Sequence, residues 1–393
     1  MSQASGEASI LHEKHLMYFL SLAEQGYAAI HGPDAFPWIH RLEREIDNFR
    51  SALEWSVTER NYESALRLLV RLSSAWGWEG HFLETCSWFE RICSLTTIHD
   101  YPEPHASLLN HLGWENWLRG NLRYAQSVLQ EGREIWLQLG PRGEQGLAQA
   151  LDGLGIVTLY VDGDKERTRS FFEQSLELFR KHDDVWGMSK VTFNLGNLAE
   201  VQGRFEEAED LYRNSLAAFR ELGDQYMVAF VYSGLGDLAR VREDYEWAEK
   251  YHEQTLEIFQ QQRGRVTLAW PYINLGWVSI RRTNYRKARN LLEESLQLAI
   301  ELDNKGLIGG CLAGFASILA MTGKPEQAAR LFGTADSLSE SLGPLEPADQ
   351  KDQDYYTGLV RGQLDQAVFE KAWNEGRAMS LDEAIAYALA ESK

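Results

Sequence analysis

A segment of about forty residues recurs along this chain, and that recurrence limits its fold more than any other feature. The stretch NLGNLAEVQGRF at 194–205 is followed by GLGDLARVREDY at 234–245 and by NLGWVSIRRTNY at 274–285. A catalytic motif is needed only once, whereas a unit that buries its apolar face against copies of itself must recur. The sequence therefore predicts a stacked array of units instead of one globular core.

Three kinds of residue keep the repeat step, and each kind occupies one position in the unit. They are Leu195, Leu235 and Leu275; Gly196, Gly236 and Gly276; and Ala208, Ala248, Ala288 and Ala328. Weaker copies precede them at Leu112-Gly113 and Leu154-Gly155, and Phe315-Ala316 takes the same place downstream. About six repeats are thus expected over residues 105–343, with a divergent helix pair over 61–104.

Each unit reads as two amphipathic helices. Apolar residues recur every three or four positions on both sides of a turn at Gly203, and Gly223 is placed to end the second helix. Gly196 falls inside the first helix, where glycine costs about 1 kcal/mol relative to alanine. Such a glycine indicates that a neighbouring helix comes close, and Ala208 is the expected counterpart. The fold class predicted is all-α.

A small residue followed by a second small residue twelve positions later resembles the tetratricopeptide repeat (TPR), here in a variety with lengthened helices. The resemblance covers residues 105–343. It implies an α-solenoid, a right-handed superhelix of antiparallel helix pairs, whose first helices line a concave groove.

The two ends resemble another family. Residues 1–60, with Trp38, Glu45 and Trp55 among the matching positions, resemble the linker that opens the helical sensor half of bacterial STAND-type regulators. AARLFGTADSLSESLG at 328–343, followed by AWNEGRAMSLDEAIAYAL at 372–389, resembles the closing segment of that family, and residues 344–393 are expected to form a helical C-terminal cap. The resemblance implies a sensor for an ATPase switch domain, acting in cis or in trans. The chain has no G-x-x-x-x-G-K-[ST] loop, so the ATPase and DNA-binding activities are not carried over to it.

Composition restricts the classes of partner. The formal net charge is −19, which disfavours binding to phosphate backbones and to anionic membranes. Three cysteines without a C-x-x-C pair do not indicate a disulfide framework or a zinc site. No signal peptide and no membrane span are evident, so we expect a cytoplasmic protein.

Two short motifs invite a chemical interpretation, and neither supports one. GLGDLA at 234–239 fits a dinucleotide fingerprint, but it belongs to the repeat and lies within a helix instead of following a strand. HEKH at 12–15 lacks the spacing of a helical zinc motif and has no evident third ligand. We therefore expect no cofactor, no metal and no enzymatic activity.

The candidate binding residues are those on the groove side of the first helices. They are Trp114, Trp117, Lys190, Asn194, Asn197, Asp237, Arg240, Trp270, Asn274, Trp277 and Arg281. Asn194 and Asn274 resemble the asparagines with which TPR proteins hold an extended peptide, because an amide both donates and accepts hydrogen bonds. Tryptophan and arginine are typical of binding hot spots. The alternative is that the asparagines tie adjacent helices together and the tryptophans fill space between them.

Three functions fit this pattern. The leading hypothesis is a non-catalytic module that recognises a peptide, a protein or a small effector in its groove, as the sensor of a signalling regulator. A scaffold that joins proteins through its outer face is the second. The third is a sensor that closes around a small molecule, a sugar or a nucleotide.

Overall fold

The structure is a computed structural model that describes residues 2–78, 81–97, 100–261, 266–342 and 345–390. Those residues form α-helices joined by short turns, with two 3-10 turns at Gly140–Gly143 and Val266–Leu268. The N-terminal helices are α1 Ser2–Ala29, α2 Ala35–Arg44, α3 Ile46–Thr58, α4 Tyr62–Trp78 and α5 Phe82–Cys93. Six successive helix pairs follow: α6 Pro102–Leu118, α7 Leu122–Leu139, α8 Glu144–Val161, α9 Lys165–Lys181, α10 Val185–Val201, α11 Phe205–Leu222, α12 Gln225–Val241, α13 Tyr245–Gln261, α14 Ala269–Arg281, α15 Tyr285–Glu301, α16 Lys305–Met321 and α17 Pro325–Leu342. The C-terminal helices are α18 Pro347–Gln363, α19 Gln366–Arg377 and α20 Leu381–Ala390.

Local sequence explains where the paired helices begin and end. The Asp184 carboxylate accepts a hydrogen bond from the Gly187 N–H at 2.8 Å and caps the start of α10. Gly203 and Gly223 adopt left-handed backbone angles, with φ of 73° and 75°, at the ends of α10 and α11. The same kind of N-terminal cap recurs at Asp164, Asp224, Asn284 and Asn304.

The two helices of a pair are also joined by a buried hydroxyl. Ser215 on α11 donates to the carbonyl oxygen of Ser189 on α10 at 2.9 Å. The equivalent bonds run from Ser175 to Ala148, from Thr255 to Ala229 and from Ser295 to Ala269. The donors keep the forty-residue step, so this bond is a part of the repeat that the sequence analysis missed.

The repeated glycines allow the close contact that was expected, but with a different counterpart. A Cβ on Gly196 would lie 2.6 Å from the Tyr212 ring, and one on Gly236 would lie 2.5 Å from the His252 ring. The large side chain sixteen positions later therefore covers the glycine, where Ala208 and its equivalents were predicted. Ala208 is itself fully buried.

Successive turns of the superhelix touch each other. The Asn304 amide donates to the Leu118 carbonyl oxygen at 2.8 Å, across 186 residues of sequence. The Tyr160 hydroxyl donates to the Glu346 carboxylate across the same interval. Near the start of the chain, Pro33 lies against Gly223. One turn of the superhelix therefore contains about four and a half repeats, and successive turns contact each other along their edges.

The C-terminal helices close the array in two ways. Helix α19 lies along α17, where Gly376 faces the backbone of Arg330 and Gly333 faces the backbone of Trp373, with no room for a Cβ at either glycine. Helix α18 runs inward instead and contacts α12 and α16. Among the described residues, no helix is both long and apolar enough to cross a membrane.

Candidate ligand-binding groove

The inner helices α6, α8, α10 and α12 line a shallow pocket, in which about 420 Å³ is empty when open solvent is counted and about 20 Å³ is enclosed enough to hold the centre of a water molecule. Its lining is aromatic and aliphatic with a few polar groups: Trp114, Trp117, Ile156, Leu159, Tyr160, Phe172, Lys190, Phe193, Asn194, Asn197, Met227 and Phe230. Five predicted groove residues, Trp114, Trp117, Lys190, Asn194 and Asn197, are therefore brought together. We call the part of the groove that these five line the open half.

Lys190 is held in place on three sides. Its ammonium lies 3.0 Å from the Asp152 carboxylate, 4.3 Å from the centre of the Trp114 ring and 5.7 Å from that of Trp186. Asp152 is 1% exposed and accepts a second hydrogen bond, 2.7 Å long, from the Asn194 amide. An ion pair this enclosed fixes both side chains, so Lys190 presents a positioned charge at the pocket.

The two tryptophans of α6 form the apolar wall of the open half. The rings of Trp114 and Trp117 lie 4.9 Å apart and both are only partly buried. Neither fills the interior of the array completely, and each leaves a face toward the pocket. A partly exposed pair of indoles beside a fixed cation is an arrangement that favours apolar and aromatic groups of a ligand.

Asn197 is tied to a buried carboxyl group through a tyrosine. The Tyr212 hydroxyl lies 2.7 Å from the Asn197 side-chain oxygen and 2.8 Å from the Glu200 carboxylate. Burial raises the pKa of Glu200 well above its usual range, and the nearby Asp237 charge adds to that rise. This network joins α10 to α11 behind the pocket.

Helix α18 covers five of the other six predicted groove residues, all except Trp270, so part of the predicted groove is occupied by the chain itself. Arg240, which is 3% exposed, pairs with Asp349 at 2.8 Å and with Asp352 at 2.9 Å. Arg281 also pairs with Asp352, and its guanidinium lies 4.2 Å from the centre of the Tyr355 ring. We call this part, lined by Asp237, Arg240, Asn274, Trp277 and Arg281, the covered half.

The remaining candidates in the covered half serve mainly as packing groups. Trp277 is 1% exposed and its ring stacks on Tyr356 with centres 6.4 Å apart. The Asn274 oxygen accepts from Arg240 at 3.3 Å, and Asp237 pairs with the same arginine at 3.2 Å. The side chains of the covered half therefore do not face an empty groove, because α18 occupies it. Trp270, outside the covered half, is partly buried against the C-terminal apolar core.

Both asparagines proposed for peptide binding are joined to neighbouring inner helices, Asn194 to Asp152 on α8 and Asn274 to Arg240 on α12. The alternative interpretation from the sequence, that these amides tie helices together, describes their contacts. The sequence analysis missed Phe230 and Tyr160 in the pocket lining. Phe230 stands forty positions after Lys190, so the repeat step could have found it.

The polar groups of the pocket are held by two separate sets of bonds. Lys190 and Asn194 share the Asp152 carboxylate, Asn197 accepts from the Tyr212 hydroxyl, and these groups lie beside an apolar depression. Among the described residues, no group of three or more His, Cys, Asp or Glu side chains is placed to hold a metal ion.

Comparison with known proteins agrees with this architecture. The tetratricopeptide repeat family model matches residues 188–261 and 227–301. A protein of Mycobacterium tuberculosis provisionally named an HTH-type transcriptional regulator is 26% identical over 197 residues, which are 48% of this chain and 21% of that protein. A counterpart in Mycobacterium bovis matches to the same extent. The chain therefore spans about a fifth of the length of these relatives.

Solved structures were found to be similar to the chain at low sequence identity. A Rap protein complexed with Competence and Sporulation Factor superposes with a TM-score of 0.56 at 14% identity, over 94% of this chain and all of that one. A STAND protein with a TPR sensor from Pyrococcus horikoshii gives a TM-score of 0.49 at 13% identity, over 88% of this chain and 54% of that one. From its recurring helix pairs, the match of the repeat model and the superposition on the Rap protein, the chain contains tetratricopeptide repeats within residues 188–301 and has the fold of an all-α, TPR-type solenoid.

Proposed function

We propose that the chain is a non-catalytic binding module that holds a short peptide, or an extended segment of a partner protein, in the open half of its groove. One observation carries the proposal: four successive inner helices line an apolar pocket that has a fixed cation and amides at its side. Concave apolar sites with a few placed polar groups are the usual form of a ligand site.

The absence of a catalytic role in this proposal follows from how the polar groups are used. Lys190 is paired with Asp152, and Asn197 accepts from Tyr212. General acid–base or nucleophilic catalysis needs a nucleophile beside a base that is directed at a substrate. The groups of the open half are directed at one another instead.

The wider role proposed is that of a sensor in a transcription regulator. It is supported by the relatives named as HTH-type transcriptional regulators, which match about half of this chain. A ligand in the groove would act on an ATPase switch domain, in cis or in trans, through its different affinity for two states of the array. The same proposal includes a division of the chain into a linker at 1–60, a divergent helix pair at 61–104, repeats at 105–343 and a cap at 344–393. It also includes the expectation that the chain does not bind nucleic acid directly.

The experiment is selection from an unbiased displayed peptide library on the folded full chain, followed by affinity measurements on two variants. Trp117→Ala removes an indole from the pocket, and Trp247→Ala removes one that is 51% exposed on the second-helix side of its repeat. Selected peptides should lose at least tenfold in affinity, about 1.4 kcal/mol, with the first variant and little with the second.

Each other result contradicts the proposal in a distinct way. Peptides that bind Trp117→Ala normally but lose affinity for Trp247→Ala would indicate a scaffold that uses its outer face. A failure to select any peptide, together with a rise in Tm on adding sugars or nucleotides, would indicate a small-molecule sensor.

A further inference from the structure

Beside the open half, a wall of nitrogen-bearing side chains comes from four separate elements, and the proposed function has not used it. We call Arg71 of α4, His111 of α6, Lys190 of α10 and His31 of the α1–α2 turn the basic wall. The argument rests on the proposed function, because it concerns the ligand of the same groove.

Arg71 and His111 are joined through one tyrosine. The Arg71 guanidinium lies 4.4 Å from the centre of the Tyr27 ring, and that ring lies 6.4 Å from the His111 ring. Within the described part of the chain, Arg71 has no carboxylate partner. Arg71 also hydrogen-bonds to the Tyr27 side chain, but a guanidinium has five N–H donors, so others remain for an anion.

The wall continues from His111 to Lys190 and His31. His111 and Trp114 are three residues apart on α6, so their side chains share a face of that helix. Lys190 lies over the Trp114 ring, and His31 lies 4.0 Å from Trp186, the neighbour of Lys190 one turn earlier on α10. The four groups therefore border one continuous surface next to the pocket.

The carboxylates near this surface are already engaged. Asp152 is shared by Lys190 and Asn194. Asp184 caps α10, while Asp224 caps α12 and accepts from the Trp186 indole N–H at 2.8 Å. Burial raises the pKa of Glu115 to about 7, so its charge is only partly developed at neutral pH.

The two histidines respond to a ligand that carries negative charge. Burial is the main reason that the pKa of His31 and of His111 is lowered to about 4; the Lys190 charge contributes at His31, and the Arg71 and Lys190 charges contribute at His111. Both imidazoles are therefore neutral in the structure as described. A carboxylate placed against them raises their pKa, but starting from about 4 they stay largely neutral near pH 7, so Arg71 and Lys190 supply the positive charge of this surface.

The chain already shows how this groove accepts acidic residues. The segment from Glu346 to Asp352 lies in the covered half, with Asp349 and Asp352 on Arg240. It approaches the pocket through the bond from Tyr160, which is a pocket residue, to Glu346. The covered half is thus filled by an acidic segment, and the open half continues the same groove.

We propose that the open half selects an acidic peptide, with an apolar side chain inserted between Trp114, Trp117 and Phe230 and a neighbouring carboxylate set against Arg71, Lys190 and His111. Burial of the apolar side chain contributes to affinity, and the carboxylate determines which peptides are preferred. The local charge at the groove then works in the same direction as for α18, against the chain's net charge of −19, since both ligands are acidic segments that meet basic side chains.

The test measures the binding of labelled hexapeptides to the folded full chain. One set carries a leucine or phenylalanine next to two Asp or Glu residues, and the matched set carries Asn or Gln at those places. The acidic set should bind at least tenfold more tightly, and the difference should shrink as salt is raised. Arg71→Gln should reduce the affinity of the acidic set about tenfold and leave the amide set unchanged.

Two further measurements distinguish the expected result from the effects of misfolding and from the binding of free anions. The double variant Lys190→Met with Asp152→Asn removes the buried ion pair without leaving an unpaired charge, and it should also lower the affinity for the acidic set. The control Lys250→Met, on the outer surface of α13 beside Glu246, should leave that affinity unchanged. Inorganic phosphate should fail to compete at millimolar concentration because it has no apolar group.

Equal binding of the acidic and amide sets, or an Arg71→Gln variant that keeps full affinity for the acidic set, would overturn this inference. Full competition by phosphate would likewise overturn it in favour of a free-anion site. In each of these cases peptides still bind in the groove, so the proposed function survives. A chain that binds no peptide of either set contradicts both.

Discussion

A glycine in the middle of an inner helix lies beneath a large side chain of the helix that follows it. Gly113 faces Leu129, Gly155 faces Phe172 and Gly196 faces Tyr212, each closer than a Cβ would allow. The conformational cost of glycine in a helix, about 1 kcal/mol, is offset by the apolar area that this contact buries. At the residue scale, the repeated feature is therefore a glycine packed against one large side chain.

This pairing predicts opposite effects of the same substitution at two glycines. Gly196→Ala should destabilise the fold by about 1–3 kcal/mol, because its Cβ would lie 2.6 Å from the ring of the buried, hydrogen-bonded Tyr212. Gly358→Ala, inside α18 with nothing within 4 Å of the added carbon, should stabilise it by up to about 1 kcal/mol. Urea unfolding of both variants measures the difference. Equal effects would show that Tyr212 moves aside at little cost.

At the scale of elements, α18 is the helix that decides how much groove is free. It combines buried Ala348, Asp352, Tyr356 and Val360 with an ion network to Arg240, and its Lys351 donates to the carbonyl oxygen of Val241 at 2.7 Å. A helix anchored by charge-assisted bonds to two inner helices shortens the groove to the part that α6 to α12 line.

The ion network predicts a large difference between two aspartates of α18. Asp352→Asn should cost about 2 kcal/mol, because it removes a charge partner from Arg240 and Arg281 while they stay buried or nearly so. Asp354→Asn, an exposed site bonded only to Gln350 among the described residues, should cost less than about 0.5 kcal/mol. Denaturant unfolding and amide exchange in α18 are the measurements. If both variants unfold alike, the network contributes little to the position of this helix.

The helix pairs could be predicted from the sequence because the residues that indicate them are close together in the chain. The forty-residue step of Leu195, Leu235 and Leu275 and the turns at Gly203 and Gly223 define where helices begin, end and face. The occupant of the covered half depends on contacts between Arg240 and Asp352, more than a hundred residues apart, and no periodic pattern encodes such a contact. The sequence therefore predicted which helix faces line the groove, but it did not predict that α18 lies in half of it.

For the whole molecule, the contacts between successive turns matter most. Asn304, which is 5% exposed, both caps α16 and bonds to Leu118 of the previous turn. In an open repeat array each unit touches only its neighbours, and stability is close to a sum of local terms. Here distant repeats also support each other, so the array should unfold more cooperatively than that sum implies.

A comparison of two caps tests the contribution of the turn-to-turn contact. Asn284→Ala removes only a helix cap, the bond from the Lys287 N–H, and should cost about 1 kcal/mol. Asn304→Ala removes the equivalent cap and leaves the Leu118 carbonyl without the amide, so it should cost about 1–3 kcal/mol more. Unfolding free energies give the costs, and small-angle scattering should show a larger radius of gyration for Asn304→Ala alone. Equal costs in unfolding free energy and equal radii of gyration would mean that the contact between turns does not stabilise the superhelix.

The contact between turns also restricts how such a chain can change over generations. Open arrays lengthen and shorten by duplication or loss of single units, since every unit meets a similar neighbour. Inserting one forty-residue unit between Leu118 and Asn304 would displace this contact, and the one between Tyr160 and Glu346, by a full repeat, bringing unrelated turns into register. We therefore expect descendants of this chain to vary in the composition of their repeats while keeping the number of repeats fixed.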